Sequence, residues 1–357
     1  MKKATLAVAV LAASTSAAWA QSSVTLYGIV DAAVRYTSNN NGSQKQLIPG
    51  GMSESRLGIN VVEDMGGGVK ALANMEHRLN SDNGTVSAGD FWRQAWVGLE
   101  SSEFGQIRLG RQYNVLFDLY TSTYASFRYS PYIEAYKPEI GLSAGARQSN
   151  MVKYLGKVGN VYGEIQVSAG EGSSQSDKTI GGLLRYNDGA FGFGGAYLQV
   201  EDLQGKKVKA TTVGGSYTSG PLYVNLSWGQ NKFDRGSVLG PAFTGALIKG
   251  YNGNPVLNAI SGDVQKRDMV MAGLTYQLTT QLNLGAQYWH ATQTHYTPAL
   301  ANTKSKSDYF AVVADYAFSK RTDAYVEADI TKYKGAVAFA NGATKRGGAM
   351  VGVRHRF

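Results

Sequence analysis

The chain contains no cysteine, only 7 prolines and 4 histidines in 357 residues, and beyond its first twenty residues no apolar run long enough to cross a bilayer as a helix. Each shortage removes a class of protein. Without cysteine there is no disulfide framework, no thiolate nucleophile and no thiolate metal site. Without a run of about 20 apolar residues there is no helical membrane span. The histidines, His77, His290, His295 and His355, stand beside no Ser or Asp in a recognisable catalytic motif, which argues against an enzyme built on this scaffold. No cofactor and no metal is expected.

What is present begins with an export leader: Lys2 and Lys3, the apolar stretch Leu6 to Ala13, and the small-residue site Ala18-Trp19-Ala20. Residues 1–20 are expected to be removed as a signal peptide, leaving 21–357 as one barrel domain with no linker inside it. The formal charge of +9 would suit nucleic acid in a cytoplasmic protein, but export argues against that partner.

The rest of the chain alternates. From Gly347 onward, Ala349, Val351, Val353, His355 and Phe357 fall on one face of a strand, and Met350, Gly352, Arg354 and Arg356 on the other. A soluble sheet covers its apolar face with more protein, yet this two-faced rhythm recurs throughout with no helical layer to supply the cover. Lipid is the expected cover, and an all-β transmembrane barrel the expected fold; a soluble sandwich is the alternative. The mean hydropathy of −0.23 fits a barrel, because only alternate residues of each strand meet lipid.

Sixteen segments carry the alternation: 24–36, 55–63, 69–79, 91–100, 106–111, 148–156, 161–169, 178–187, 191–200, 208–218, 222–232, 266–277, 281–290, 308–318, 322–332 and 347–357. Short connections with turn chemistry, such as Asp64-Met65-Gly66-Gly67-Gly68 and Asn187-Asp188-Gly189, should lie on the periplasmic side. The longer connections 37–54, 80–90, 233–265 and 333–346 should be outer loops. Tyrosines near strand ends, namely Tyr27, Tyr36, Tyr154, Tyr186, Tyr217, Tyr276, Tyr316 and Tyr325, are expected at the lipid headgroup level.

One connection breaks the rhythm. Residues 112–146 carry Tyr113, Phe117, Tyr120, Tyr124, Phe127, Tyr129, Tyr132 and Tyr136, too many aromatics for a solvated or disordered loop. It is expected to fold against the inside of the barrel wall and narrow the lumen.

The segments SVTLYGIVDAAV, SRLGINVVEDMGGGVKA, RQAWVGLESSEFGQIRLGRQYN and the closing VGVRHRF together resemble the trimeric general porins of Gram-negative outer membranes. The resemblance, which runs from Ser23 to Phe357, implies a 16-stranded antiparallel barrel with an inward-folded third outer loop, a homotrimer packed through first and last strands, and passive diffusion of small hydrophilic solutes and ions. It also implies outer-membrane lipid as the surrounding partner, and Phe357 as part of the signal read by the barrel-insertion machinery. The family's basic wall falls on Arg56, Arg93 and Arg147, and its acidic loop signature on Pro138-Glu139-Ile140-Gly141. A second loop acid of the family falls on Ala135, with Glu134 beside it.

Periodicity supports part of this independently. Leu57, Ile59 and Val61 share one face, so Arg56 should point to the lumen; Arg147, Ser149, Met151 and Lys153 share a face opposite Val152 and Tyr154. Arg93 has the parity of Ala95, Val97 and Leu99, which leaves its side open, and Trp96 on the other parity is expected at a trimer contact. The constriction is thus expected to set Arg56, Arg93, Arg147 and Lys153 against Glu139, Glu134 and Asp118. Asp31, Arg35, Glu76, Arg78 and Glu164 are expected in wider vestibules, and Arg354 and Arg356 at the periplasmic mouth. A modest anion preference follows; a channel selective for sugar or phosphate is the alternative.

Overall fold

The computed structural model describes residues 22–38, 42–87, 91–131, 133–171, 178–237, 263–297, 304–335 and 342–357. The signal-peptide segment, Tyr132 and most of the 233–265 connection lie outside the described residues.

The strands form one closed antiparallel sheet. Around the barrel run β1 (Ser23–Thr37), β3 (Arg56–Gly66), β4 (Val69–Arg78), β5 (Trp92–Ser101), β6 (Gly105–Tyr113), β7 (Arg147–Val158), β8 (Val161–Ser168), β9 (Lys178–Asn187) and β10 (Phe191–Glu201). They are followed by β11 (Lys207–Ser219), β12 (Leu222–Phe233), β13 (Val264–Gln277), β14 (Leu282–His295), β15 (Ser305–Ala317), β16 (Thr322–Lys334) and β17 (Lys345–Arg356). β17 returns to β1 with Ile29 opposite Arg356 and Thr37 opposite Gly348, so no edge is left unpaired. Gly28 exchanges two backbone hydrogen bonds of 3.1 Å with Phe357, and a side chain at Gly28 would collide with the Phe357 ring. The sixteen segments read from alternation correspond to these sixteen long strands.

A short strand inside the first outer connection was not foreseen. β2 (Gln44–Ile48) pairs with the upper half of β1, Ala33 opposite Ile48, above the stretch where β3 pairs with the lower half. Between β2 and β3 the chain leaves the wall at residues 49–55 and turns inward.

Alternation sorts the faces. Outward positions are apolar and exposed, as at Ile165, Leu226, Val326 and Val351, each more than half exposed; inward neighbours such as Gln166, Glu327 and Met350 are buried. In a bilayer the outward row replaces water with lipid at no cost, while backbone groups are satisfied by the closed ladder. Tyr36, Tyr154, Tyr217, Tyr276 and Tyr316 are exposed on this outer face. Tyr27 and Tyr325 are not. Their parity is inward: Tyr27 donates to Glu76 Oε2 at 3.1 Å, and the Tyr325 hydroxyl donates to Asp31.

Candidate constriction on the inner wall

The third outer connection packs inside the barrel. Asn114 ties its two ends together: its side chain accepts from Phe117 N at 3.0 Å to cap α1 (Val115–Thr123), and donates to the carbonyls of Ser143 at 2.8 Å and Ala144 at 3.3 Å. Ala144 (φ 49°) and Ala146 (φ 62°) adopt the left-handed conformation that disfavours non-glycine residues, turning the chain back into β7 at Arg147. The apolar residues Val115, Leu116 and Leu119 of α1 are buried. Val115 N donates to Gln166 Oε1 at 2.7 Å on β8, Tyr124 and Thr212 share a hydrogen bond of 2.6 Å on β11, and Tyr223 donates to Ala125 O at 2.8 Å from β12. Farther round, Arg267 donates to Gly141 O at 3.2 Å from β13, and Tyr136 donates to Ile330 O at 2.8 Å on β16. The segment is thereby fastened to the wall on five strands.

Around the two ends of that connection, β3, β4, β5 and β7 bring cations together. Arg56 and Arg78 are direct cross-strand partners. Arg93 joins them because β5 bulges: Trp92 pairs with His77 and Gln94 with Glu76, leaving Arg93 as the extra residue. Below the bulge Val97 and Leu99 face out; at the bulge Trp92 faces out and Arg93 turns in, 2 % exposed. Arg147 opens β7 opposite Tyr113, and the Tyr113 ring lies 5.6 Å from the Arg93 guanidinium and 5.8 Å from that of Arg147.

Two carboxylates sit among these cations. Glu76 on β4 lies 3.3 Å from Arg93 and 3.9 Å from Arg56. Glu54, from the inward segment, lies 3.2 Å from Arg78 and 3.3 Å from Arg93, and accepts from Ser87 Oγ at 2.8 Å. Burial alone would raise the Glu54 carboxyl; the charges of Arg93, Arg78, Lys137 and Arg147 outweigh it and hold the group well below the ordinary carboxylate range. Arg147 has no carboxylate within 4 Å among the described residues.

The structure thus brings Arg56, Arg93 and Arg147 together and adds Arg78, Glu76 and Glu54. The other expected residues have partners of their own. Lys153 pairs with Asp118 of α1 and, at 2.7 Å, with Glu164 of β8. Glu134 pairs with Lys137, three residues further on in the same segment. Glu139 opens a short 3₁₀ turn at Pro138–Leu142 and accepts from the Tyr120 hydroxyl at 2.6 Å and Ser126 Oγ at 3.2 Å. Burial pushes its carboxyl up to about 7, against these two hydrogen bonds and the charge of Lys137. Trp96 does not face outward: it shares the inner face with Gly98, and the Arg108 guanidinium stacks 4.3 Å over its ring. Arg354 does not simply line a mouth but donates to Ser53 Oγ at 2.7 Å, reaching the inward segment.

Glu54 escaped the sequence reading because alternation has no meaning in a loop; the signal available was an acid two residues before Arg56. Arg78 and Glu76, expected in the wider vestibules, instead lie in the arginine cluster, because alternation gives the face of a strand residue but not its height relative to Arg93.

A closed antiparallel barrel, apolar outside and charged within, is the architecture of a bacterial outer-membrane channel. The sequence matches the Gram-negative porin family over residues 7–336, and the chain belongs to that family. It is 31 % identical over 382 residues to outer membrane porin protein 32 of Delftia acidovorans, with 100 % of both chains covered. It is 30 % identical over 418 residues to an outer membrane porin protein of Bordetella pertussis, again with full coverage. Among solved structures, the anion-selective porin from Comamonas acidovorans superposes with a TM-score of 0.72 at 26 % identity, covering 94 % of this chain and 100 % of that one. The protein is an outer-membrane porin, and the family is one of channels rather than enzymes.

Proposed function

We propose that this porin is a general diffusion channel with a modest preference for anions, its constriction formed where the third connection faces Arg56, Arg78, Arg93 and Arg147. The observation that carries the reading is the excess of cations in that cluster: four guanidinium groups against the two carboxylates Glu54 and Glu76. A monovalent ion about 7 Å from one unit charge in water gains about 0.6 kcal/mol, screened over about 8–10 Å at physiological salt. One or two uncompensated charges therefore bias permeation a few fold and exclude nothing. The likeness to a solved porin described as anion-selective supports the sign.

Selective sugar transport fits less well. The inner-wall aromatics Trp289, Tyr309 and Tyr333 are buried, and the Tyr136 ring of the third connection packs 5.9 Å from Trp289 and 6.3 Å from Tyr309. They anchor the loop instead of presenting faces to a solute. With the channel reading go a homotrimer, loss of residues 1–20 on export, and a role for Phe357 in insertion. No catalytic function, cofactor or metal is assigned.

Replacing Arg147 by Glu tests the site without breaking an ion pair, since Arg147 lies beside Arg78 and Arg93 and has no carboxylate within 4 Å among the described residues. The change of two charge units should lower the chloride-over-potassium permeability ratio about five- to tenfold, read as the reversal potential across a planar bilayer under a tenfold KCl gradient. An unchanged reversal potential would place the constriction elsewhere.

A further inference from the structure

The first outer connection carries a carboxylate deep into the lumen, and the wall is built to receive it. Asp31, inward on β1, accepts hydrogen bonds from three successive backbone N–H groups, Gly51 at 3.1 Å, Met52 at 3.1 Å and Ser53 at 2.7 Å. Tyr325 caps the same carboxylate, and its hydroxyl also accepts from Gly51 N at 3.1 Å. Gly51 is required here, since any side chain would strike the Tyr325 hydroxyl. Ser55 Oγ accepts from Asp31 N and donates to Asp31 O, both at 3.0 Å. The third connection then leans on this segment, with Ala135 N donating to Gly51 O at 3.0 Å and Ser130 Oγ to Met52 O at 2.8 Å. Between these fixed points stands Glu54, 3 % exposed.

A residue held this way from both sides has one direction in which to present its charge, toward Arg78 and Arg93. We propose that Glu54 is a specificity-determining residue of this channel: a counter-charge delivered by the first connection that covers Arg78 and Arg93 and leaves Arg147 as the cation presented to permeating anions. The inference rests on the reading of the arginine cluster as the constriction. It adds that the strength of the anion preference is set by an acid outside the third connection, so that the basic wall is weaker than its arginine count.

The test is E54Q in the full-length porin, which keeps the shape and the acceptor oxygen for Ser87 and removes one negative charge. The chloride-over-potassium ratio should rise about two- to threefold at 0.1 M salt and less at 1 M, where screening is stronger. E54D, which keeps the charge and shortens the reach, should shift it less than E54Q. A merely structural role for Glu54 would make E54D as disruptive as E54Q, with no consistent move toward chloride, and that result would overturn the proposal. If E54Q fails to assemble, R78Q supplies the opposite arm: with Glu54 left in place and one cation gone, the ratio should fall two- to threefold, and an unchanged ratio would overturn the proposal. R147E separates the two claims. If R147E shifts the reversal potential and E54Q does not, Glu54 is no determinant although the constriction stands; if neither does, the reading of the cluster itself is wrong.

Discussion

Glu54 and Glu139 are the same residue type in two loop segments folded into one lumen, 3 % and 4 % exposed, and their surroundings shift their carboxyls in opposite directions. Glu54 is enclosed by guanidinium groups and stays ionised; Glu139 is enclosed by the hydroxyls of Tyr120 and Ser126 and sits near the point of half-protonation at neutral pH. Burial is common to both, so the partner decides. A hydroxyl donates to a carboxylate without bringing a charge to offset the lost hydration, whereas an arginine brings both. An acid in an inward loop is therefore not automatically an acidic element of a constriction.

The largest way to break the comparison is to release the segment that holds Glu54. Asp31→Ala removes the carboxylate acceptor of three backbone N–H groups and of the Tyr325 hydroxyl, so that Gly51 N and Met52 N keep only the Tyr325 oxygen. Each orphaned donor costs about 1–3 kcal/mol, partly relieved by entering water, so a loss of about 3–5 kcal/mol is expected. Thermal unfolding of the purified barrel in detergent measures it, and a variant within 1 kcal/mol of wild type would show that the anchor is dispensable.

The next effect is on pH dependence, where the two acids tilt stability in opposite directions. Glu54 has a folded pKa below its ordinary value of 4.5, so the unfolded chain binds the extra proton at acid pH; stability is fully present above about 4.5 and is lost as pH falls below it. Glu139 has a folded pKa of about 7, so between 4.5 and 7 the folded state binds the extra proton, and stability falls as pH rises through that window. The fall amounts to about 3 kcal/mol for a buried group. Glu139→Gln, neutral at every pH, should flatten the profile between pH 4.5 and 7 while leaving the acid limb in place. A slope that survives in E139Q would assign it to another group.

A smaller change sharpens what positions Glu139. Asn114 caps α1 and joins the two ends of the third connection, so Asn114→Ala should cost about 1–2 kcal/mol through the lost cap and the two lost bonds to Ser143 and Ala144. Earlier proteolytic cleavage within 114–146, at an unchanged barrel unfolding temperature, is the expected sign of a loosened loop.

The same two acids mark how far the sequence could be read. Alternation located the sixteen strands, and parity alone put Arg56, Arg147 and Lys153 inside, because a closed barrel gives every strand residue only two directions. Parity failed where the ladder is irregular. The bulge at Trp92 and Arg93 resets the count by one, which explains why Arg93 shares parity with Val97 and Leu99 yet points the other way. The loops carry no parity at all. Glu139 could be found by its Pro-Glu-Ile-Gly setting, but its direction depends on Tyr120 and Ser126, 19 and 13 positions away. Glu54 needed the Asp31 anchor and β2 to be placed, and both depend on pairings between segments that have no signature of their own.

The smallest expected effect is the most discriminating. Glu139→Gln keeps an acceptor for the Tyr120 and Ser126 hydroxyls and removes a charge that is only about half present at pH 7. No arginine lies within 4 Å of Glu139 among the described residues, and the cation that acts on it is Lys137 of its own segment. The chloride-over-potassium ratio should accordingly move by less than about 1.5-fold at pH 7, against the two- to threefold expected for E54Q. At pH 5 the residue is protonated in the wild type as well, so the small difference should vanish there, whereas that of E54Q should persist because Glu54 is still ionised. A large, pH-independent shift in E139Q would reverse the ranking of the two acids and make the third connection, not the first, the carrier of the counter-charge.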